Sequence, residues 1–208
     1  MQDAALDQEE LTRGDSLLSA ARILADAVSV LSGREVAKSC SSYRKVNPNG
    51  VDLSPKEVKL VPRGFKIFLH GEERGYIAPS ATRGRTADKP EVRDVKELVT
   101  PDEEGFYDFV KGNLYELRFP KVTIPADCTG FAFPRSTVNR LGIIKLESAV
   151  FDSGYSGEPT QTIFTPLDAR VHKDEALIQL VFIRNEAPAK ELYRGRYQDE
   201  ASSGPERP

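Results

Sequence analysis

Short apolar runs, rich in Val, Ile, Phe and Tyr, alternate with clusters of Gly, Pro, Asn and Asp along most of the chain after Gly33. Runs of this length, bounded by turn residues, are typical of β-strands. The pattern predicts strands over residues 57–61, 65–69, 75–78, 106–110, 114–119, 121–125, 130–133, 143–146, 150–152, 160–164 and 177–183. Many short strands with regular turn signals indicate a mainly β fold, a sandwich or barrel of largely antiparallel sheet.

Two segments have a helical pattern instead. Near the N-terminus, apolar residues recur at a spacing of three and four positions between Asp15, a candidate N-cap, and Gly33, a candidate C-terminal stop. Between Pro134 and Gly142 the apolar alternation lapses, which predicts one short internal helix. We therefore expect an acidic leader and amphipathic helix over residues 1–33, a β domain over 34–198 and a flexible polar tail over 199–208.

Composition narrows the chemistry that this fold can carry. The 208 residues hold 29 Lys and Arg against 32 Asp and Glu, a net charge of -3, which argues against a nucleic-acid-binding protein. Two His and two Cys leave little for a metal cluster or a disulfide scaffold. The sequence contains no apolar run long enough to span a membrane and no signal peptide. We expect a cytoplasmic protein whose reagents are carboxylates, hydroxyls, arginines and backbone amides.

The residues best suited to such chemistry lie between positions 131 and 157. Arg135 and Ser136 follow a predicted strand and open the internal helix, where backbone amides, a guanidinium and a hydroxyl suit a phosphate. Asp152 ends a second apolar strand, where partial burial would tune a carboxylate for general-base work. Tyr155 is spaced to present a ring to a sugar, and a tight turn near position 147 separates the two strands of a predicted hairpin.

Taken in order, these motifs resemble those of the dUTPase and dCTP deaminase superfamily, most closely a dUTP diphosphatase of the deaminase-like branch. The matching segments are Gly50-Val51-Asp52-Leu53, Pro134-Arg135-Ser136-Thr137, Asp152 with Tyr155 and Gly157, Leu177 to Phe182 around Gln179, and Tyr193 to Gln198. No single motif is specific, but the ordered set covers residues 49–198.

The resemblance implies a distorted jelly-roll fold and a homotrimer with active sites between subunits. It assigns Asp152 as the base that activates water for attack on the α-phosphorus of dUTP, releasing dUMP and pyrophosphate. It also implies a Mg²⁺ ion held through the substrate triphosphate, with no direct protein ligand expected. The implied substrate-binding residues are Arg135, Ser136, Thr137, Arg140, Tyr155, Gln179, Tyr193, Tyr197 and Gln198, with Asp52 supporting the metal and phosphate region.

Two further activities remain open within this family. Deaminases carry a Glu five residues beyond the last Gly of the Asp-containing motif, and this chain has Thr162 there. Arg140 and the tail, in contrast, resemble the deaminases. We therefore favour dUTP hydrolysis over a dCTP deaminase or a bifunctional deaminase and diphosphatase. A catalytically silent nucleotide-binding relative is the third alternative, and the presence of Asp152 weighs against it.

Overall fold

Antiparallel strands are the main regular elements of the computed structural model, which describes residues 29–70, 73–78, 92–146 and 150–199. The strands are β1 (Lys45–Asn47), β2 (Gly50–Leu53), β3 (Glu57–Val61), β4 (Lys66–His70), β5 (Glu73–Ile77), β6 (Glu97–Val99), β7 (Phe106–Phe109), β8 (Asn113–Arg118), β9 (Val122–Thr123), β10 (Cys128–Pro134), β11 (Ile144–Lys145), β12 (Val150–Phe151), β13 (Ser156–Gly157), β14 (Thr160–Thr165), β15 (Ala169–His172) and β16 (Ile178–Arg184). Two five-residue helices, α1 (Gly33–Ala37) and α2 (Ser136–Arg140), accompany them.

Ten of the described strands form two five-stranded sheets that pack on each other, and the other six form three two-stranded sheets. The first sheet has the order β1-β2-β16-β10-β12, and the second has the order β11-β14-β8-β3-β6. Along β10 and β16 alternate residues are buried, as a sheet with one face toward a core requires. Leu180 and Phe182 of the first sheet share a buried cluster with Val58, Leu117 and Ile163 of the second. This arrangement confirms the predicted mainly β, distorted jelly-roll class.

The apolar pattern located most strands to within a few residues. The strand predicted over 57–61 has those bounds, and those predicted over 114–119 and 177–183 are each displaced by one residue. The short internal helix is also present, as α2. The strands β1, β2, β6, β13 and β15 were not predicted, because they have only two to four residues and little apolar alternation. Short strands of this kind are fixed by their sheet neighbours and not by their own sequence.

The predicted stop at Gly33 is wrong, because Gly33 begins a helix. Residues 29–31 are extended, and Val30 forms a bridge to Ile183 of β16. Ser32 then caps α1 in a reciprocal capping box with Glu35, which starts a new helix where the sequence predicted an end. The rest of the predicted N-terminal helix, over residues 15–28, lies outside the described residues, as does the tail beyond residue 199.

The predicted hairpin over residues 143–152 also has a different construction. Its first limb, β11, pairs with β14 of the second sheet, whereas its second limb, β12, pairs with β10 of the first. The predicted turn near position 147 falls outside the described residues. Because its limbs belong to different sheets, they do not pair with each other as a hairpin.

In the described part of the chain, no helix has the length and apolar character that a membrane crossing requires.

Gly33 supplies a direct test of this packing. A Cβ atom at position 33 would lie 1.9 Å from the carbonyl oxygen of Asn47 and 2.4 Å from that of Gly50, and backbone atoms move only with the strands that carry them. We expect Gly33→Ala to lower the free energy of unfolding by about 1–3 kcal/mol, the range for overpacked sites. Urea unfolding measures the change, and Arg34→Ala, at an exposed position of the same helix, is the control. Equal stability of the two variants would contradict this packing.

Candidate functional site

A cavity of about 440 Å³ lies beside Asp152. Its size is within the range of small-molecule sites. Asp152 follows β12, and Tyr155 lies three residues further on. The lining residues are Lys96, Glu116, Leu146, Val150, Phe151, Asp152, Tyr155, Pro159, Thr160, Gln161, Thr162, Tyr193 and Tyr197. The cavity thus contains the predicted base, the predicted sugar-contacting ring and both predicted tail tyrosines.

Buried hydrogen bonds fix the turn that carries Asp152. The Ser153 hydroxyl donates to the carbonyl oxygen of Cys128 at 2.7 Å and accepts from Asn185 Nδ2 at 3.0 Å. The Gly154 amide donates to the Ile124 carbonyl at 3.0 Å. Satisfied buried polar groups of this kind hold one conformation, because any other would leave them unpaired. The sequence pattern predicts no role for Ser153 or Asn185, because the two residues are far apart in the chain and their spacing gives no sign of the contact.

The C-terminal segment folds back onto the same turn of its own chain. Gln198 Oε1 accepts from the Ser156 amide and Gln198 Nε2 donates to the Gly154 carbonyl, both at 3.2 Å. Gly154 has a φ of +84°, and a Cβ atom there would lie 2.7 Å from Leu192 Cβ, so the approach of the tail requires glycine. Gln198 therefore holds the tail against the turn through backbone groups.

Aromatic rings form one side of the cavity. Tyr155 is 5% exposed, and its ring packs edge-on against Tyr193 with the centroids 5.7 Å apart. Tyr197 is 46% exposed and donates its amide to the Tyr193 hydroxyl at 3.3 Å. Rings at this distance are in direct contact and hold each other in place as part of the cavity wall. Tyr193 and Tyr197 of the tail therefore form one wall of the cavity together with Tyr155.

A second cluster contains Asp52, Arg135 and Gln179. The Asp52 side chain is almost fully buried, accepts from Asn47 Nδ2 at 2.7 Å and pairs with Arg135 Nε at 3.1 Å. Arg135 Nη1 also contacts Glu175 Oε1 at 3.0 Å. Gln179 is the cross-strand partner of Asp52, so both side chains lie on the outer face of the first sheet. Asp52 acts here by orienting the guanidinium.

The remaining predicted residues surround this cluster or lie outside it. Ser136 and Thr137 are exposed in the first turn of α2, directly after Arg135. Arg140 is exposed in the last turn of α2 and lines neither of the two cavities described here. His172, which the sequence did not assign to the site, lines a smaller cavity of about 190 Å³ with Asp52 and Arg135.

The two clusters lie at opposite ends of β10. Gly130 pairs with Phe151, so Asp152 lies beyond β12 at the level of Thr129, whereas Arg135 follows the other end of β10. Six residues of extended chain span about 20 Å. The side chains do not close this gap, because Arg135 is held by Asp52 and Glu175. Within one chain, the predicted base and the predicted phosphate-binding arginine therefore do not meet.

Two expectations about individual groups are also resolved. Asp152 is exposed in the single chain, so the expected partial burial of its carboxylate is wrong at this level of assembly. The strand that precedes it, β12, ends at the buried residue Phe151, one residue before Asp152. Both cysteines are free thiols, and burial raises the pKa of Cys128 to about 11 and that of Cys40 to about 12. Neither thiol is ionised at neutral pH, so carboxylates remain the candidate reagents.

Comparisons with known proteins agree with the motifs. The family model described as dCTP deaminase-like matches residues 17–185. A protein of Aeropyrum pernix, named probable deoxyuridine 5′-triphosphate nucleotidohydrolase, is 35% identical over 159 residues, which are 74% of this chain and 86% of that protein. A dUMP-forming dCTP deaminase of Aquifex aeolicus is 29% identical over 162 residues, which are 77% of this chain and 82% of that protein. The resemblance inferred from the motifs is confirmed.

The fold has a solved counterpart. The crystal structure of 2′-deoxycytidine 5′-triphosphate deaminase from Agrobacterium tumefaciens superposes with a TM-score of 0.52 and 15% sequence identity. The match covers 76% of this chain and 47% of the longer deaminase chain, so this chain spans about half of that protein. At this identity the likeness concerns the fold alone.

The contact between Asp52 and Arg135 predicts an energetic coupling. Because Arg135→Met leaves a buried carboxylate without its charged partner, we expect this substitution to destabilise the chain by about 1–3 kcal/mol. In an Asp52→Asn background the same substitution should cost much less. Denaturant unfolding of the two single variants and the double variant measures the coupling. Additive effects would show that the pair does not hold the guanidinium in place.

Proposed function

We propose that this chain, which belongs to the dCTP deaminase-like family, hydrolyses dUTP to dUMP and pyrophosphate. The supporting observation is the cavity beside Asp152: it contains a carboxylate at its mouth and an aromatic ring for the sugar, and Thr162 lines it where a deaminase would carry Glu. A threonine hydroxyl does not shuttle a proton to a pyrimidine base at neutral pH. The cavity thus has a carboxylate for attack of water on phosphorus, but it has Thr162 in place of the Glu that a deaminase uses on the pyrimidine ring.

We propose further that each active site is shared between two copies of the chain in a closed ring, with a trimer as the implied state. The separation of about 20 Å along β10 supports this, because Asp152 and Arg135 of one chain do not reach the same triphosphate. A rotated second copy would bring its Arg135 cluster to the cavity of the first. Cyclic assemblies place the same two surfaces in contact at every interface.

In the proposed reaction, Asp152 accepts a proton from a water molecule as the water oxygen attacks the α-phosphorus. The bond between the α-phosphorus and its bridging oxygen then breaks, and pyrophosphate leaves. Arg135 neutralises phosphate charge from a fixed position, because Asp52 orients its Nε and leaves other guanidinium donors available. Ser136, Thr137 and Gln179 supply uncharged polar groups near the same phosphates. Tyr155, Tyr193 and Tyr197 enclose the nucleoside.

Magnesium fits this proposal as a partner of the substrate. Mg²⁺ prefers phosphate oxygens and water, so the triphosphate itself offers the donors that the ion needs and Asp152 stays available as the base. Asp52 fits less well as a direct ligand, since its two oxygens are engaged by Asn47 and Arg135. When bound, the ion would supply charge neutralisation and activation of water. Asp52 would then act only through Arg135.

Deamination of dCTP is the second candidate function. The name of the Aquifex aeolicus relative, a dUMP-forming dCTP deaminase, favours it. Thr162 weighs against it for this chain. One incubation with dUTP and dCTP, in which ammonia and pyrophosphate are followed together, separates the candidates, because a deaminase releases ammonia from dCTP and a diphosphatase acting on dUTP releases only pyrophosphate.

The role of Asp152 is tested by Asp152→Asn. The amide keeps the shape of the side chain but does not accept the proton from water, so we expect pyrophosphate release from dUTP to fall about 10²–10⁴-fold. Affinity for the non-hydrolysable α,β-imido-dUTP should stay within a few-fold, measured by calorimetry. Asp127→Asn is a matched control, because Asp127 lies at the same end of β10 but outside the cavity. Near-normal turnover by Asp152→Asn would rule out this carboxylate as the base.

The shared site is tested by mixing two inactive variants. In a 1:1 mixture of Asp152→Asn and Arg135→Gln chains, unfolded and refolded together, about one site in four would combine an intact Asp152 with an intact Arg135 from another copy. We expect about a quarter of the wild-type activity, whereas each variant refolded alone stays inactive. If each site were built within one chain, the mixture would remain inactive. Arg135→Gln retains a hydrogen-bond donor for Asp52, which preserves the fold.

A further inference from the structure

Lys96 and Glu116 form an ion pair in the cavity that the mechanism above does not use. Lys96 Nζ lies 2.7 Å from Glu116 Oε2, and the two side chains are only 19% and 18% exposed. Both residues line the cavity that contains Asp152 and Tyr155. The sequence pattern predicts no role for them, because Lys96 precedes a strand that was not predicted and Glu116 lies in the middle of an ordinary strand.

Sheet register places Glu116 beside Thr162, the position that corresponds to the deaminase Glu. Glu116 of β8 is the cross-strand partner of Thr162 of β14, and cross-strand partners have their side chains on the same face. Lys59 of β3 is the partner of Glu116 on its other side and does not line the cavity. A carboxylate thus stands one strand away from Thr162, paired with a lysine that comes from the segment before β6.

The pair is fixed and charged. Burial lowers the pKa of Lys96, but the hydrogen bond to Glu116 and the charges of Glu116 and Asp94 outweigh it, so the pKa of Lys96 lies above its ordinary value. Lys96 Nζ also lies 3.8 Å from Asp94 Oδ2. An ammonium carries three donors and a carboxylate accepts several hydrogen bonds, so each group retains capacity beyond their mutual contact. The cavity therefore presents a donor directly beside an acceptor.

This arrangement matches the edge of a uracil ring. Uracil presents a carbonyl oxygen beside the N3–H group, which is an acceptor next to a donor. Building on the proposed function, we propose that Lys96 and Glu116 are specificity-determining residues: Lys96 Nζ donates to a carbonyl oxygen of uracil and Glu116 accepts from N3–H. In the same orientation cytosine places the unprotonated N3 against the carboxylate of Glu116, which leaves two acceptors facing each other. Such mismatches discriminate strongly in sites of low water content.

The test measures binding of dUMP and dCMP by calorimetry, together with turnover of dUTP. We expect Lys96→Met to weaken dUMP binding about tenfold or more, the effect of losing a hydrogen bond to a charged group. Glu116→Gln should lower the dUMP over dCMP preference by a similar factor, because an amide can turn a donor toward cytosine N3. Lys59→Met is the matched control, since it removes a lysine from the same sheet face outside the cavity.

A purely structural ion pair makes a different prediction. The double variant Lys96→Glu with Glu116→Lys keeps an ion pair but reverses the donor and the acceptor. We expect its melting temperature to recover relative to the single charge reversals while the preference for dUMP stays lost. Recovery of both properties, or an unchanged dUMP over dCMP ratio in all variants, would overturn the inference. Pair-dependent dUMP binding without dUTP turnover would instead support this inference and contradict the proposed function.

Discussion

The antiparallel ladder between β10 and β16 fixes the position of nearly every candidate residue. Its register runs from Cys128 opposite Arg184 to Pro134 opposite Ile178, which is the longest pairing among the described strands. Both strands turn alternate residues toward the same core. A shift of one residue would turn the buried positions of both strands to the outside, so the hydrophobic core holds the register. The strands that flank this ladder, β2 and β12, inherit their places from it.

The fixed register of β10 also explains why the candidate site is divided into two separate clusters. Asp152 is placed by β12 at one end of β10, and Arg135 emerges from the other end. A rigid strand between two groups serves catalysis only if another copy supplies the complementary half. The C-terminal tail, in contrast, reaches the Asp152 turn within one chain, because Gln198 holds it against the backbone of that turn. In the proposed function the nucleoside side of the site would thus be completed within one chain, and the phosphate side between two copies.

The sequence predicted the β class and the motif residues because both depend on local pattern. The strand over 57–61 alternates apolar and polar residues, and Asp152 with Tyr155 forms a motif that is readable within a few positions. Contacts between distant segments left no such signal. Gly33 read as a helix stop, but Ser32 and Glu35 form a capping box that begins a helix. The support of Ser153 by Asn185, 32 residues away, depends on how β10 and β16 lie side by side.

The Lys96 and Glu116 pair shows why motif alignment alone is incomplete for this family. Counting along the chain from Gly157 reaches Thr162 and finds no carboxylate, yet the neighbouring strand supplies one at the same level through Glu116. A sheet surface is two-dimensional, and a chemical group can move one strand sideways while staying within a few ångströms of the same ligand atom. The lysine that accompanies Glu116 places a hydrogen-bond donor directly beside that carboxylate, so the pair offers a ligand one donor and one acceptor. The same location that serves proton transfer in a deaminase is therefore suited here to recognition of the base.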